Sequence, residues 1–527
     1  MVHAQRIIDD TLLNHPANTK GGQASEQETP NLELQEAIRK IILDAAVPAF
    51  DRRRRIRDLI KKELVSPQEG FLCQAADGRA FYFHKPERRL YDLEQKQFQH
   101  LLSSISDLSA TESQFRFVLD SFQTEAARTK AVDVHTLSFY DLQTGRLVVS
   151  DGAGGVWTRA RRGKWESGHN GDDGLLFLTD SDGKPWTPEF KQDGALAWFL
   201  NQLLLDNDPS LTPDQQRTLL TVWLLQNFFP ALRRTRVIPA FLGPQGSGKT
   251  STMRMIGALL CGAQFDVTGL SRDREDAFVA AVSNRVIVGL DNADSRIPWL
   301  EDSLATYATG LRYRLRRLYT TNEEVSYSPR AILMLSSRDP HFRRPDVAER
   351  LLPLHFKRPE KYQPESALFG GLVERRGRII GELLLWAGAI ADCLGNVTLP
   401  ALQFRMADFA SFGWAVASSA GQEAEWLDLL GKLERGQIEF ASEGDSLVMV
   451  LRGILESDGV IEPIDVGSLY KKCSALAEDE SLPFPKSAQG FGRHLTNMRR
   501  VVEIELNAVV KEERGAGNRR YVSIRPR

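Results

Sequence analysis

The stretch Phe241-Leu-Gly-Pro-Gln-Gly-Ser-Gly-Lys-Thr-Ser251 decides how the rest of this chain is read. It fits the pattern G-x-x-x-x-G-K-[ST], with Gly243, Gly248, Lys249 and Thr250 at the required positions. Glycines let successive backbone N–H groups curl around phosphates, and a helix leaving the loop directs its positive N-terminus at them. Residues 236–242 read as a buried strand entering the loop, and residues 251–260 as that helix. The expected phosphate-binding set is Gly243, Pro244, Gln245, Gly246, Ser247, Gly248, Lys249, Thr250 and Ser251. Lys249 is expected to reach the β- and γ-phosphates, and the Thr250 hydroxyl to hold Mg²⁺. The cofactors implied are ATP and Mg²⁺.

Moving outward, residues 284–290 form an apolar β run that ends in Asp291, the expected second holder of the metal, through water. The next position commonly carries a second acid that polarises the attacking water. Here it is Asn292, which leaves Asp294 as the candidate general base and slow hydrolysis as an open outcome. A further apolar strand, 331–335, ends in Ser336-Ser337, and Ser337 is nominated to touch the γ-phosphate or the water. Between the two strands, residues 311–328 read as an inserted hairpin, with Arg312, Arg314, Arg316 and Arg317 leading into it. Its tip lacks Lys and His, so DNA contact and a merely solvated hairpin both stay open. Arg350 stands immediately before a final strand, 351–356, where it is placed to reach a neighbouring subunit's nucleotide; Arg344 is second choice and a local salt bridge the plain alternative.

In this order the loop, the strand ending in Asp291, Thr309-Gly310 with Arg317-Leu318-Tyr319, the strand ending in Ser336-Ser337, and Ala348-Glu349-Arg350-Leu351 resemble the superfamily-three helicases, a branch of the AAA+ class. More narrowly they are similar to the ATPase part of viral, phage and mobile-element primase–helicases. The resemblance covers roughly residues 195–360. It implies ATP hydrolysis at the interfaces of a homo-oligomeric ring, a hexamer in the relatives, with single-stranded DNA in the pore. The chain departs from those relatives at Asn292 and in carrying serines where many have Asn.

The remaining chain is read from composition and pattern. Of 527 residues, 42% are hydrophobic and 26% charged, an ordinary soluble mixture, and the net charge of -2 requires any polyanion-binding surface to be local. Four dispersed cysteines, Cys73, Cys261, Cys393 and Cys473, lack C-x-x-C spacing, which excludes a recognisable zinc site and suits a reducing compartment. No leader is legible in residues 1–18, and the apolar stretch 382–394 is too short for a membrane span, so a cytoplasmic protein without membrane contact is expected.

Residues 1–30 are polar and expected to be a disordered tail. Residues 31–190 read as an N-terminal α+β accessory domain: a helical start carrying the run Arg52 to Arg55, Arg57, Lys61 and Lys62, then strands with an Asp77-Gly78 hairpin turn. The basic run reads as a solvated helix face, with nucleic-acid contact as the alternative. No primase residues are evident there. Residues 195–360 are the AAA+ domain and 361–440 a helical segment. Residues 445–527 show three helices followed by strands at 502–510 and 520–524, which resembles a winged helix. In that fold a third helix enters the major groove while the wing touches phosphate, with Arg493, Arg499, Arg500, Arg514, Arg519 and Arg520 as candidate duplex-DNA contacts.

The expectation is therefore a multidomain protein with an α/β P-loop AAA+ core, an α+β N-terminal domain and a C-terminal winged helix. Its expected work is that of a DNA helicase or replication-initiator ATPase of a phage, plasmid or integrated element. The rival reading is a DNA-binding AAA+ switch or assembly ATPase that does not unwind.

Overall fold

Pro48 interrupts what the periodicity predicts as one helical stretch, giving α1 (Leu32–Leu43) and α2 (Ala49–Leu64). The computed structural model describes residues 32–179, 183–207, 210–293, 297–316, 324–337, 344–394, 404–442, 445–480, 482–515 and 519–527. The tail 1–30, Asp294, the hairpin tip with Arg317, the run 339–343 and residues 516–518 lie outside these residues. Strands β1 (Gly70–Gln74), β2 (Ala80–His84) and β3 (Arg89–Asp92) form an antiparallel sheet, with Gly78 at φ 92 in the first turn. Helices α3 (Lys96–Ser106) and α4 (Ser113–Ala126) come next. Ile56, Ile60 and Leu64 recur at helical spacing on α2 and are buried with Ile38, Phe115, Val118 and Phe122 in a cluster of their own.

The next strands are β4 (Val134–His135), β5 (Ser138–Tyr140), β6 (Leu147–Ser150), β7 (Gly155–Arg159), β8 (Trp165–His169) and β9 (Leu176–Phe177). β5 to β8 make an antiparallel meander, and β4 pairs with β9. Leu137, Tyr140, Leu147 and Val149 belong to the same buried cluster as the parallel sheet that follows, and the Tyr140 ring meets Phe229 edge-on at 4.9 Å. The first part of residues 31–190 thus has a core of its own, while these residues of the meander pack into the core of the parallel sheet described next.

Helix α5 (Ala195–Asn201) precedes α6 (Pro213–Gln226), whose start is a capping box: the Thr212 side chain accepts from the Gln215 N–H, and the Gln215 side chain accepts from the Thr212 N–H. The central unit is then β10 (Ile238–Leu242), α7 (Lys249–Cys261), β11 (Thr268–Gly269), α8 (Glu275–Asn284), β12 (Ile287–Asp291) and α9 (Leu300–Thr309). A hairpin of β13 (Tyr313–Arg316) and β14 (Glu324–Tyr327) leads to β15 (Ile332–Ser337), the short α10 (Pro345–Ala348) and β16 (Leu351–His355). Asn284 at the start of the 284–290 run instead ends α8, and Arg285 and Val286 lead into β12, because Val282 and Ser283 complete that helix's buried face.

Five of these strands form one parallel sheet in the order β11-β12-β15-β10-β16. They read as near-continuous apolar runs because both faces are covered, and every residue of β10 and β15 is buried.

The C-terminal third comprises α11 (Glu365–Cys393), α12 (Ala407–Ala420), α13 (Glu423–Ser442), α14 (Ser446–Asp458), β17 (Ile461–Asp465), α15 (Val466–Asp479), α16 (Ala488–Glu505), β18 (Ala508–Arg514) and β19 (Arg520–Pro526). The last three strands pair antiparallel as β17-β19-β18. The strand predicted over 502–510 begins only at Ala508. Val501 and Val502 continue the Leu495 and Met498 stripe of α16, and burial of that stripe overrides their β preference. Among the described residues no helix is long and apolar enough to cross a membrane.

Candidate functional site

The sheet order explains where the site lies. β10 sits between β15 and β16, and the loop leaving its carboxyl end opens over the crevice where strand order changes direction. β15 also separates β10 from β12, so the end of β15 stands between the loop and Asp291. A cavity of about 310 Å³ is lined by Gln245, Gly246, Ser247, Gly248, Lys249, Thr250, Ser251, Asp291 and Asn292.

Two glycines in the loop are obligatory for different reasons. A Cβ on Gly243 would stand 2.3 Å from the Phe356 carbonyl oxygen, and Gly248 has φ 82 where the chain turns into α7. Among the described residues no side chain caps the N-terminus of α7, so its first N–H groups face the cavity mouth. The Lys249 ammonium, itself buried, donates to the carbonyl oxygens of Gly243 at 2.6 Å and Pro244 at 2.8 Å.

Three elements converge on one carboxylate oxygen. The Thr250 hydroxyl donates to Asp291 Oδ1 at 3.0 Å and the Ser336 hydroxyl donates to the same atom at 2.6 Å. Ser336 in turn accepts from the backbone N–H of Asn292 at 3.1 Å. The serine brought to the acid is therefore Ser336, while its nominated neighbour Ser337 is buried at the end of β15, opposite Leu242. Asn292 has φ 54, a left-handed conformation that Asn tolerates better than most side chains. That gives a backbone reason for the residue the family pattern did not predict.

A hydroxyl and a carboxylate side by side are hard oxygen donors of the kind Mg²⁺ takes, and Mg²⁺ typically keeps water and substrate phosphate as its other ligands. Among the described residues no group of three or more His, Cys, Asp and Glu forms a self-sufficient metal cage. Thr250 and Asp291 thus fit a metal that arrives with a phosphate chain.

The segment after β16 folds over the loop, which its composition did not signal. Arg358 donates to the Gln245 carbonyl at 2.9 Å, and Glu365 accepts from Ser251 Oγ at 2.9 Å. The exposed Tyr362 hydroxyl would stand 3.0 Å from a Cβ placed on Gly246.

Arg350 lies at the other end of the sheet, and Arg344 shares Asp346 with it. The Ile238 N–H, at the start of β10, donates to the Arg350 carbonyl, so about 13 Å of strand separates Arg350 from the loop of its own chain. Arg350 pairs with Asp346 Oδ2 at 3.1 Å and its side chain is 10% exposed. Arg344 pairs with Asp346 and Asp302 and is 43% exposed. Burial lowers the Arg350 pKa, with Arg405 adding repulsion; burial would raise the Asp346 carboxyl, but the bonds from Arg344 and Arg350 outweigh it and hold it low.

The six C-terminal arginines divide. Arg499 donates to the Val510 carbonyl at 2.6 Å, and Arg520 to Thr496 and Glu512, each at 2.6 Å. Arg500 pairs with Glu434 on α13 and lies 4.0 Å from Glu349. These three hold the fold together. Arg493, Arg514 and Arg519 are exposed, as are Arg499 and Arg500.

Several solved structures are similar to the chain at low identity. No curated protein matches the chain. Among solved structures, the apo C-terminal region of NrS-1 is similar at 12% identity and TM-score 0.38, covering 89% of this chain and 98% of that one. The active helicase Cch of SCCmec type IV is similar at 9% identity and TM-score 0.42, covering 86% and 93%. The JCV helicase has 14% identity and TM-score 0.20, covering 45% and 66%. Residues 205–425, which contain the loop, Asp291, Ser336 and both candidate arginines, match the family described as the actinomycete integrative conjugative element replication protein, a mobile-element family in agreement with the resemblance read from the motif order.

Proposed function

We propose that this protein is an ATP-dependent DNA helicase or replication-initiator ATPase of an integrated mobile element, hydrolysing ATP at the interfaces of a homo-oligomeric ring, with a hexamer the expected form. The observation that carries the reading is the convergence of Thr250, Asp291 and Ser336 at the mouth of the glycine loop. The α7 N-terminus and the loop N–H groups would hold the phosphate chain, and Lys249 would exchange the Gly243 and Pro244 carbonyls for β- and γ-phosphate oxygens. Thr250 and Asp291 would hold Mg²⁺, which supplies charge neutralisation between the β- and γ-phosphates. Ser336 would fix the Asp291 carboxylate and sense what it holds. Asp294 remains the candidate base. Arg350, or the more exposed Arg344, would complete a neighbour's site, since the strand length denies Arg350 its own. The winged helix would bring the ring to duplex DNA through Arg493, Arg514 and Arg519, and the β13–β14 hairpin would meet a single strand in the pore.

The test is ATP hydrolysis with and without single-stranded DNA, with Lys249→Ala as the blank. Stimulation by single strands, absent from the blank, is the expected result; ATP binding with hydrolysis indifferent to DNA would sink the motor. One observation favours the rival, a DNA-binding switch that does not unwind: Asn292 occupies the place of a second acid, and its left-handed backbone suits Asn better than most other side chains.

A further inference from the structure

Helix α2 carries seven Lys and Arg against three acids, in a chain whose net charge is -2. Its apolar stripe, Ile56, Ile60 and Leu64, is used up in the first core, so the basic residues face outward or along the flank toward α4. On that flank the guanidinium of Arg54 lies 4.4 Å from the Phe50 ring centroid, and those of Arg53 and Arg57 lie 5.8 and 6.0 Å from Phe117. The two rings meet edge-on at 6.1 Å. Phe50 is 48% exposed, and Arg116 on α4 is exposed beside Phe117. Asp58 is taken by Arg57 at 2.6 Å and Lys61 by Glu125 at 2.8 Å. Asp51 shares the exposed side. Among the described residues Arg53, Arg54 and Arg55 carry no ion pair.

A solvated helix face has no need of aromatic rings beneath its cations. Rings hold guanidinium planes in place, so less side-chain freedom is lost when they meet phosphate, and an exposed ring offers a surface on which bases stack. We infer that the flank formed by Phe50, Arg53, Arg54, Arg57, Arg116 and Phe117 is a binding surface for single-stranded nucleic acid. It lies outside the nucleotide core and stands whether or not the chain hydrolyses ATP.

The experiment measures binding of the full-length protein, without nucleotide, to fluorescent single-stranded and duplex DNA over a salt series. Two variants are compared with the parent: R53Q/R54Q/R57Q and Phe50→Ala. Each phosphate contact contributes about 0.7 to the slope of log affinity against log salt for single strands, so the triple variant should lower that slope by about 2. Phe50→Ala should weaken single-strand binding roughly tenfold and leave duplex binding unchanged. An unchanged slope and unchanged single-strand affinity in variants that melt like the parent would overturn the inference. Loss confined to duplex would overturn it as well. Lys249→Ala, measured alongside, separates the two readings: absence of hydrolysis in the parent defeats the proposed ATPase and leaves this slope standing.

Discussion

Ser336 does two tasks with one hydroxyl, accepting from the Asn292 N–H and donating to Asp291. Removing it frees a carboxylate that must be held still to place a metal. A hydrogen bond to a charged group is worth about 1.5–3 kcal/mol, so Ser336→Ala should lower kcat about 10- to 100-fold while nucleotide affinity changes little. Steady-state hydrolysis beside fluorescent-nucleotide titration checks this, and an equal fall for Ser337→Ala would remove the distinction between the two serines. Asn292 makes a different prediction. At φ 54 a residue with a plain Cβ pays about 1–2 kcal/mol, so Asn292→Ala should destabilise by that amount and Asn292→Gly by clearly less. Denaturant melts of the two variants decide it.

At the scale of elements, the turn between β1 and β2 reaches the unit of the parallel sheet. Asp77, with a side chain 3% exposed, accepts from Arg330 at 2.8 Å and from Arg79 at 3.1 Å, and Arg79 also meets Asn284 at 2.5 Å. Asn284 ends α8 just before β12, and Arg330 stands just before β15. The first sheet is thereby pinned to the lead-ins of both site strands. Burial would raise the Asp77 carboxyl, but Arg79 and Arg330 outweigh it and keep its pKa below the ordinary carboxylate value. A folded pKa below the unfolded one gives stability that is full above about pH 4 and lost as pH falls through the lower value. Asp77→Ala leaves the Arg330 guanidinium, 13% exposed, without its ion pair, while Arg79 keeps Asp92 at 3.5 Å, and should cost about 3–5 kcal/mol near neutral pH. Thermal melts from pH 7 downward should show the gap between parent and Asp77→Asn closing only below about pH 4.

For the whole molecule the question is whether one chain is a complete site. Arg350 sits across the sheet from its own loop with Arg344 sharing its Asp346 partner, and Glu349 touches Arg405 at 3.1 Å and lies near Arg500. Lys249→Ala and Arg344→Ala proteins, each inactive alone, should partly restore hydrolysis when mixed, because one donates the arginine and the other the loop. The same mixing with Arg350→Ala decides between the two arginines. Activity that is proportional to protein concentration throughout dilution, with no recovery on mixing, would assign both to local ion pairs.

What the chain alone determined lies in short windows. The glycine loop, the apolar runs ending in Asp291 and Ser336-Ser337, the Thr212-Pro213 helix start and the order of the motifs depend on local periodicity, backbone freedom and capping, each encoded within a few neighbouring residues. Tertiary structure decided what those windows do together. Placing β15 between β10 and β12 brings Ser336 to Asp291. Folding α16 against α13 turns Arg500 from a free cation into a strut. Pairing Asp77 with Arg330 joins residues 253 apart. Spacing cannot report these outcomes, because a buried ion pair or a strand neighbour is chosen by packing between distant segments, and no local pattern records which segment will arrive.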